Sequence, residues 1–316
     1  MENLPLISII TPTYNRADYL EETIQSVMHQ DYLNIEHIII NDGSLDETPR
    51  LLKKYSEKVI VIHQDNQGQS KAINNGLEIA NGEWTVIVNS DDPLYPNAIS
   101  TMFEYLLVNQ SVIAGYPDWH MIDENGYIYE TIRTPVYHYQ DMLRLHYCVP
   151  GPCSFIRTDI IKSLGGYNPD FPYMPDFEFW LKAGLKGEFM RIPEILATFR
   201  VHTSSISVGS RGKEMAQERI RLVENIFASF DHPYLSDGKL KRKALSSAYY
   251  IAAFNTLKIN SLRNKYVFQA LKYNPLIIFR MVYEVMIFVK KKVLLNTKER
   301  SLKHWMSYKK TIEEKS

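Results

Sequence analysis

The chain is 316 residues long, 45% apolar and 23% charged, with 36 basic and 36 acidic residues. Those values exclude a disordered chain and suit one large globular domain with an appendage, or two domains. The zero sum hides a division. From Lys239 onward, 18 Lys and Arg stand against 4 Asp and Glu, whereas the residues before it carry 18 against 32. The two cysteines, Cys148 and Cys153, are too few for a disulfide framework or a Cys-rich zinc site, so reduced thiols in a cytosolic setting are expected. No basic segment followed by an apolar stretch precedes the first strand, which argues against secretion.

Leu6 to Ile10 is an apolar run that ends in the polar loop Thr11-Pro12-Thr13-Tyr14-Asn15, and Ala17 to Gln30 follows with apolar residues at helical spacing. The same alternation repeats three times. Ile35 to Ile40 leads into Asn41-Asp42-Gly43-Ser44 and a helix over 46–55. Val59 to Ile62 leads into Asn66-Gln67-Gly68 and a helix over 69–80, and Trp84 to Val88 leads into Asn89-Ser90-Asp91-Asp92-Pro93. Strand then helix, repeated, predicts a parallel sheet with right-handed crossovers. The polar strand ends would share one edge of it, where ligands of open α/β sheets bind, so Thr11, Asp42, Gly68, Asp91 and Asp92 should converge. Taken singly, each of these turns is as readily a plain connection.

After a helix over 96–108, Val112 to Ile122 and Tyr127 to Ile132 flank Asp123-Glu124-Asn125-Gly126 and read as a hairpin. Further strands are expected over 153–156 and 188–199, with helices over 158–164 and 176–186. The sheet should therefore be mixed. Beyond residue 207 the β signal ends, and helices are expected over 214–230, 239–257, 262–273, 276–295 and 298–313. No Gly-x-Gly-x-x-Gly follows the first strand and no Gly-Lys-Ser/Thr loop is present, so a dinucleotide-dependent dehydrogenase and a P-loop NTPase are both disfavoured.

Thr11-Pro12-Thr13-Tyr14-Asn15-Arg16, Asn41-Asp42-Gly43-Ser44-Leu45-Asp46, Asn66-Gln67-Gly68 and Ser90-Asp91-Asp92-Pro93 resemble, in order, the motifs of family 2 glycosyltransferases with the GT-A fold. Gly151-Pro152-Cys153-Ser154, Gly165-Gly166-Tyr167, Asp176-Phe177-Glu178-Phe179-Trp180 and Phe199-Arg200-Val201-His202 resemble that family's acceptor-side motifs. The resemblance implies a Rossmann-like mixed α/β fold with helices on both faces. A nucleotide-sugar-binding half would span 1–110, an acceptor-binding half 111–207, and a basic helical extension 208–316. It implies an inverting enzyme that uses Mn²⁺ or Mg²⁺ and a nucleotide-diphospho-sugar, UDP-linked by expectation, to glycosylate a hydroxyl of a cell-surface glycan or lipid-linked acceptor.

Residue by residue, the resemblance makes Asp176 the general base, four residues before Trp180, so that the two share a helix face. Asp92 first, then Asp91, with His202, would hold the metal, since carboxylates and a neutral imidazole suit Mn²⁺. Thr11, Pro12, Tyr14, Asp42, Gly68 and Lys71 would line the nucleotide site, with Asp42 on the base. Gly151, Pro152, Gly166, Trp180 and Arg200 would contact donor or acceptor. Without the resemblance, Asp176 is a good helix cap and Lys71 an ordinary exposed lysine. Two departures stand out: Asn89 and Pro175 occupy positions where many relatives carry carboxylates. They keep open a non-catalytic nucleotide-sugar-binding or scaffold protein. A sugar nucleotidyltransferase is disfavoured because no glycine lies in Thr11 to Arg16.

The segment 276–289 is the most apolar of the tail but falls short of the ~20 residues of a bilayer span. Flanked by Lys290-Lys291-Lys292, it is expected to dock on the anionic inner face of the plasma membrane, the alternative being packing on the acidic body or a second subunit. Its aromatics, interleaved with aliphatics, do not suit nucleic acid.

Overall fold

The computed structural model describes residues 4–202, 212–257, 259–283 and 286. Its centre is an eight-stranded sheet. Strands β1 (Ile7–Thr13), β2 (Ile35–Asp42), β3 (Ile60–Gln64) and β4 (Trp84–Ile87) run parallel in the order β3-β2-β1-β4. They alternate with helices α1 (Ala17–Met28), α2 (Thr48–Lys53) and α3 (Gln69–Ile79). Apart from Ile35 at the start of β2, the isoleucines of β1 and β2 (Ile7, Ile9, Ile10, Ile38, Ile39 and Ile40) are fully buried, as expected of strands covered on both faces.

The strands reach further toward the carboxyl edge than their apolar runs suggest. β1 continues through Pro12 to Thr13 because β2 still pairs with it there, while its pairing with β4 stops at Ile10. Val88 N–H donates to the Ile10 carbonyl, so Pro12, two residues on, faces the same vacated side and its missing N–H costs no ladder bond.

Helix α4 (Ala98–Leu107) precedes the hairpin β5 (Ala114–Ile122) and β6 (Ile128–Ile132). A short helix, α5 (Tyr139–Leu145), comes next, where the sequence carries no strong helical signal. Its Tyr139, Met142 and Leu143 are buried, so tertiary packing and not propensity maintains it. β7 (Phe155–Arg157) runs antiparallel to both β4 and β5. α6 (Thr158–Ser163) and α7 (Pro175–Ala183) follow, and β8 (Phe189–Arg200) pairs in parallel with β5. The sheet is thus mixed.

The tail adds α8 (Gly212–Ser229), α9 (Gly238–Asn255) and α10 (Asn260–Tyr273). One core cluster contains Ile10 and Ile38 of the first half, Tyr116 and Phe179 of the second, and Leu222 and Ala244 of α8 and α9. The three predicted segments therefore share a single apolar interior. Residues 277–283 are helical, as expected at the start of the 276–295 segment. The rest of that segment, with Lys290-Lys291-Lys292 and the 298–313 helix, lies outside the described residues. Among the described residues no helix is long and apolar enough to cross a membrane.

Candidate active site

A cavity of about 1190 Å³ opens at the carboxyl edge of the parallel strands. Its lining brings together Pro12 near the end of β1, Tyr14 and Arg16 after it, Asp42 at the end of β2, Asn66 and Gly68 after β3, and Asn89, Asp91 and Asp92 after β4. Gly151, Pro152, Asp176, Trp180, Arg200 and Arg219, from the second half of the chain and α8, complete the lining.

The loop motifs are interlocked. Asn15 Oδ1 accepts from Leu45 N–H (2.8 Å), and Ser44 Oγ accepts from Asn15 N–H (2.9 Å). Thr48 Oγ1 and Asp46 Oδ2 accept from Arg16 and Ala17 N–H, satisfying orphan donors at the start of α1 from another loop. Asp42 is buried. Its Oδ1 accepts from Gln64 Nε2 and Gln67 N–H, each at 2.7 Å, and its Oδ2 from Gly68 N–H at 2.8 Å. It shapes the third loop as well as lining the cavity. Gly43 follows at φ +73, where an added Cβ would come within 2.8 Å of Asn66 N. Only glycine suits that position.

The adjacent carboxylates have different surroundings. Asp92 is buried, with Arg200 N–H on Oδ1 (2.8 Å) and Asn89 Nδ2 on Oδ2 (2.9 Å). Burial, then the charge of Asp91, pushes its carboxyl well above the usual range, against those two hydrogen bonds. Asp91 Oδ2 lies 2.9 Å from His202 Nε2 and 3.6 Å from Arg16 Nε. His202 is buried and stacks on Tyr19 with ring centroids 4.8 Å apart. Imidazole nitrogen beside carboxylate oxygen is a donor set that fits Mn²⁺. Among the described residues no group of three or more His, Cys, Asp or Glu forms a metal centre, so a bound ion would need oxygen ligands from a substrate. Both Asp92 oxygens accept protein hydrogen bonds, whereas Asp91 presents Oδ2 to His202 and Arg16.

Asp176 stands at the second position of α7, after Met174 as cap and Pro175 in the first turn, two residues later than a capping aspartate would sit. Asp176 is exposed and lines the cavity. Desolvation by the surrounding protein raises its pKa, opposed by the Phe177 N–H bond to Oδ1 (2.8 Å) and by the charge of Arg219. Trp180, one turn on, lines the same cavity, buried against Phe179 and Phe189. Glu218 of α8 is buried. Its Oε1 accepts from Tyr173 N–H (2.9 Å) and Met174 N–H (2.7 Å), fixing the loop that delivers Asp176.

Several expected site residues have other settings. Thr11 is buried outside the cavity, bonded to His37 Nε2 at 2.9 Å, because it points into the sheet and not past its edge. Lys71 is exposed on α3 and does not line the cavity. Gly166 is also outside the lining. At φ +70, its would-be Cβ meets Asn74 Oδ1 at 2.3 Å, so its requirement is close packing. Arg200 lines the cavity, but its guanidinium straps the acidic loop. It donates to the carbonyls of Asp91, Asp123 and Glu124 and to Glu22, and lies 5.0 Å over the Tyr19 ring. Sequence reasoning passed over Arg219, Glu218 and Tyr173. Arg219 and Glu218 sit in a helix whose polar residues carry no motif.

A mixed sheet with an acidic cavity at its carboxyl edge and helices around it defines an α/β protein of GT-A architecture. TarS of S. aureus (residues 1–349), solved with UDP-GlcNAc, superposes with a TM-score of 0.65 at 17% identity, covering 85% of this chain and 81% of that one. The mannosyltransferase PcManGT from Pyrobaculum calidifontis, solved with GDP-Man and Mn²⁺, gives 0.55 at 18% identity, covering 82% and 76%. The chain belongs to glycosyl transferase family 2, whose model matches residues 8–165. An uncharacterized glycosyltransferase of Rickettsia typhi is 31% identical over 212 residues, 63% of this chain and 64% of the relative. The match thus spans less than two thirds of that relative's length.

Proposed function

We propose that this chain is an inverting, metal-dependent glycosyltransferase that moves a sugar from a UDP-linked donor to a hydroxyl of a cell-surface glycan or lipid-linked acceptor. The observation that carries the reading is one cavity lined together by Asp42, Asp91 and Asp176, from three separate parts of the chain. The nucleoside would lie across Pro12, Tyr14, Asp42 and Gly68, with the diphosphate toward Asp91. Mn²⁺ or Mg²⁺, held by Asp91 and His202, would neutralise the charge that develops on the leaving diphosphate.

In the transfer step the acceptor oxygen attacks the anomeric carbon while Asp176 removes its proton. The new C–O bond forms as the bond to the diphosphate breaks, and nucleoside diphosphate leaves with that electron pair. Attack from the face opposite the diphosphate inverts the configuration. Desolvation supports the base role by making the carboxylate a better proton acceptor. The remaining lone pair of Asp42, beyond its one bond from the end of β3 and two from the loop after it, is available to a donor N–H of the base.

Peripheral docking on the anionic inner face of the plasma membrane belongs to the same reading. Its support is the excess of basic residues after Lys239 and the exposed Leu276, Phe279, Val282, Tyr283 and Met286.

The test is release of nucleoside diphosphate from UDP-, GDP- and dTDP-sugars with Mn²⁺. We expect UDP from at least one UDP-sugar, abolished by EDTA and reduced about 10²-fold or more in Asp91→Asn. Binding of none of the donors would overturn the reading, and EDTA-resistant release would remove the metal from it.

A further inference from the structure

Arg219 projects from α8 into the cavity wall that carries Asp176, Tyr173 and Met215. It makes no hydrogen bond or ion pair with any described residue, and its Nε is sealed from solvent without a partner. The nearest carboxylates are already oriented by backbone: Glu218 Oε1 by Tyr173 and Met174 N–H, and Asp176 Oδ1 by Phe177 N–H. Burial lowers the guanidinium to about 10, against the attraction of Asp176 and Glu218, so it is charged at neutral pH. A charged group in a partly desolvated wall without a partner is costly, and an arriving anion would remove that cost. The planar fork of arginine also matches a phosphate or carboxylate at two points.

The side of the cavity decides which ligand it meets. Glu218, the residue before Arg219, bonds the backbone of Tyr173 and Met174 that leads into Asp176, so Arg219 lines the cavity on the side of that carboxylate. A group beside Asp176 is beside the acceptor hydroxyl. We infer that Arg219 binds an oxyanion on the acceptor, so that the molecule glycosylated carries a phosphate or a carboxylate near the hydroxyl that reacts. Glu218, the preceding residue, is what makes this specific. By tying down 173 and 174 it holds the base and the adjacent cation in one fixed relation. The inference rests on the sugar-transfer reading of the cavity.

The test uses the full chain saturated with UDP and Mg²⁺, and follows the melting temperature against glycerol 3-phosphate, D-glucuronate and, as the neutral control, glycerol. At least one anion should raise the melting temperature in a saturable way, and which one does so separates phosphate from carboxylate acceptors. Glycerol should not. Arg219→Gln should weaken that anion's apparent affinity about tenfold or more, and Arg219→Lys, which keeps the charge but loses the fork, by a smaller factor. The shift caused by UDP alone reports that each variant is folded.

Several results would overturn the inference: no anion response in the wild type, an equal response in Arg219→Gln, or anion binding that UDP abolishes, which would put Arg219 on the donor. A variant that only moves the acid limb of the pH–rate profile would instead make Arg219 a tuner of Asp176. Absence of any UDP shift would sink the donor reading, and the inference with it.

Discussion

His37 is a buried titratable group and Asp176 one that is open to the cavity yet desolvated by the protein around it, with opposite consequences. The Asp176 carboxyl is raised, and a general base works only when deprotonated. Turnover should therefore fall on acidification through a midpoint above the ordinary 3.8 of an aspartate, which a pH–rate profile on a fixed donor will show. A midpoint at or below that value would argue against a desolvated base. His37 is lowered from 6.5 to about 3 by burial, and its Nε2 is held by Thr11. The unfolded chain binds a proton there that the native state does not. Its contribution to stability is thus complete above 6.5 and is lost as pH falls from there toward 3. Denaturant melts should show the wild type losing stability relative to His37→Asn between pH 7 and 4, and parallel pH profiles would refute the assignment. At this scale the acidic loop tips were legible because polar residues end apolar runs. Arg219 was not, since an isolated arginine in a helix carries no local signal of what it faces. Nor was the hydrogen bonding that occupies both oxygens of Asp92.

Elements deliver these residues through contacts distant in sequence. The N-terminus of α7 is held by a carboxylate 44 residues away, since Glu218 accepts from Met174 N–H. Glu218→Ala should leave two buried N–H groups without a partner, destabilising the protein by about 1–3 kcal/mol. It should also lower turnover while the affinity for UDP stays unchanged, and Glu218→Gln, which keeps an acceptor oxygen, should restore most of both. Equal loss in Ala and Gln would point to charge and not to positioning. The strand–helix repeats and the β5–β6 hairpin were readable from apolar period and turn residues. The α7 start differed from expectation by one residue, which is within the reach of capping arguments; its cap, supplied by α8, was beyond them. The short helix α5 was missed because only its packing sustains it.

The whole molecule does not divide where composition does. The basic tail supplies α8 and α9 to the same interior as Ile10 and Tyr116, so charge contrast marks no boundary in the core. A chain ended at residue 207 would leave the partners of Ala216, Leu222, Val223 and Ile226 open to water. It should lose its cooperative thermal transition by circular dichroism; a cooperative melt within a few degrees of the full chain would show α8 and α9 to be dispensable. The proposed catalytic arrangement has the same global character, because a loop after β4 and a helix start some 85 residues later, estimated from their numbering, line one cavity only when the mixed sheet is complete.

That arrangement is tested most directly by comparing Asp176→Asn with the wild type for both UDP-sugar affinity and turnover. We predict donor affinity within about twofold and turnover lower by about 10²–10⁴-fold, the contribution typical of a general base. Turnover close to wild type at unchanged affinity would contradict the assignment of the base and, with it, the account of sugar transfer in this cavity.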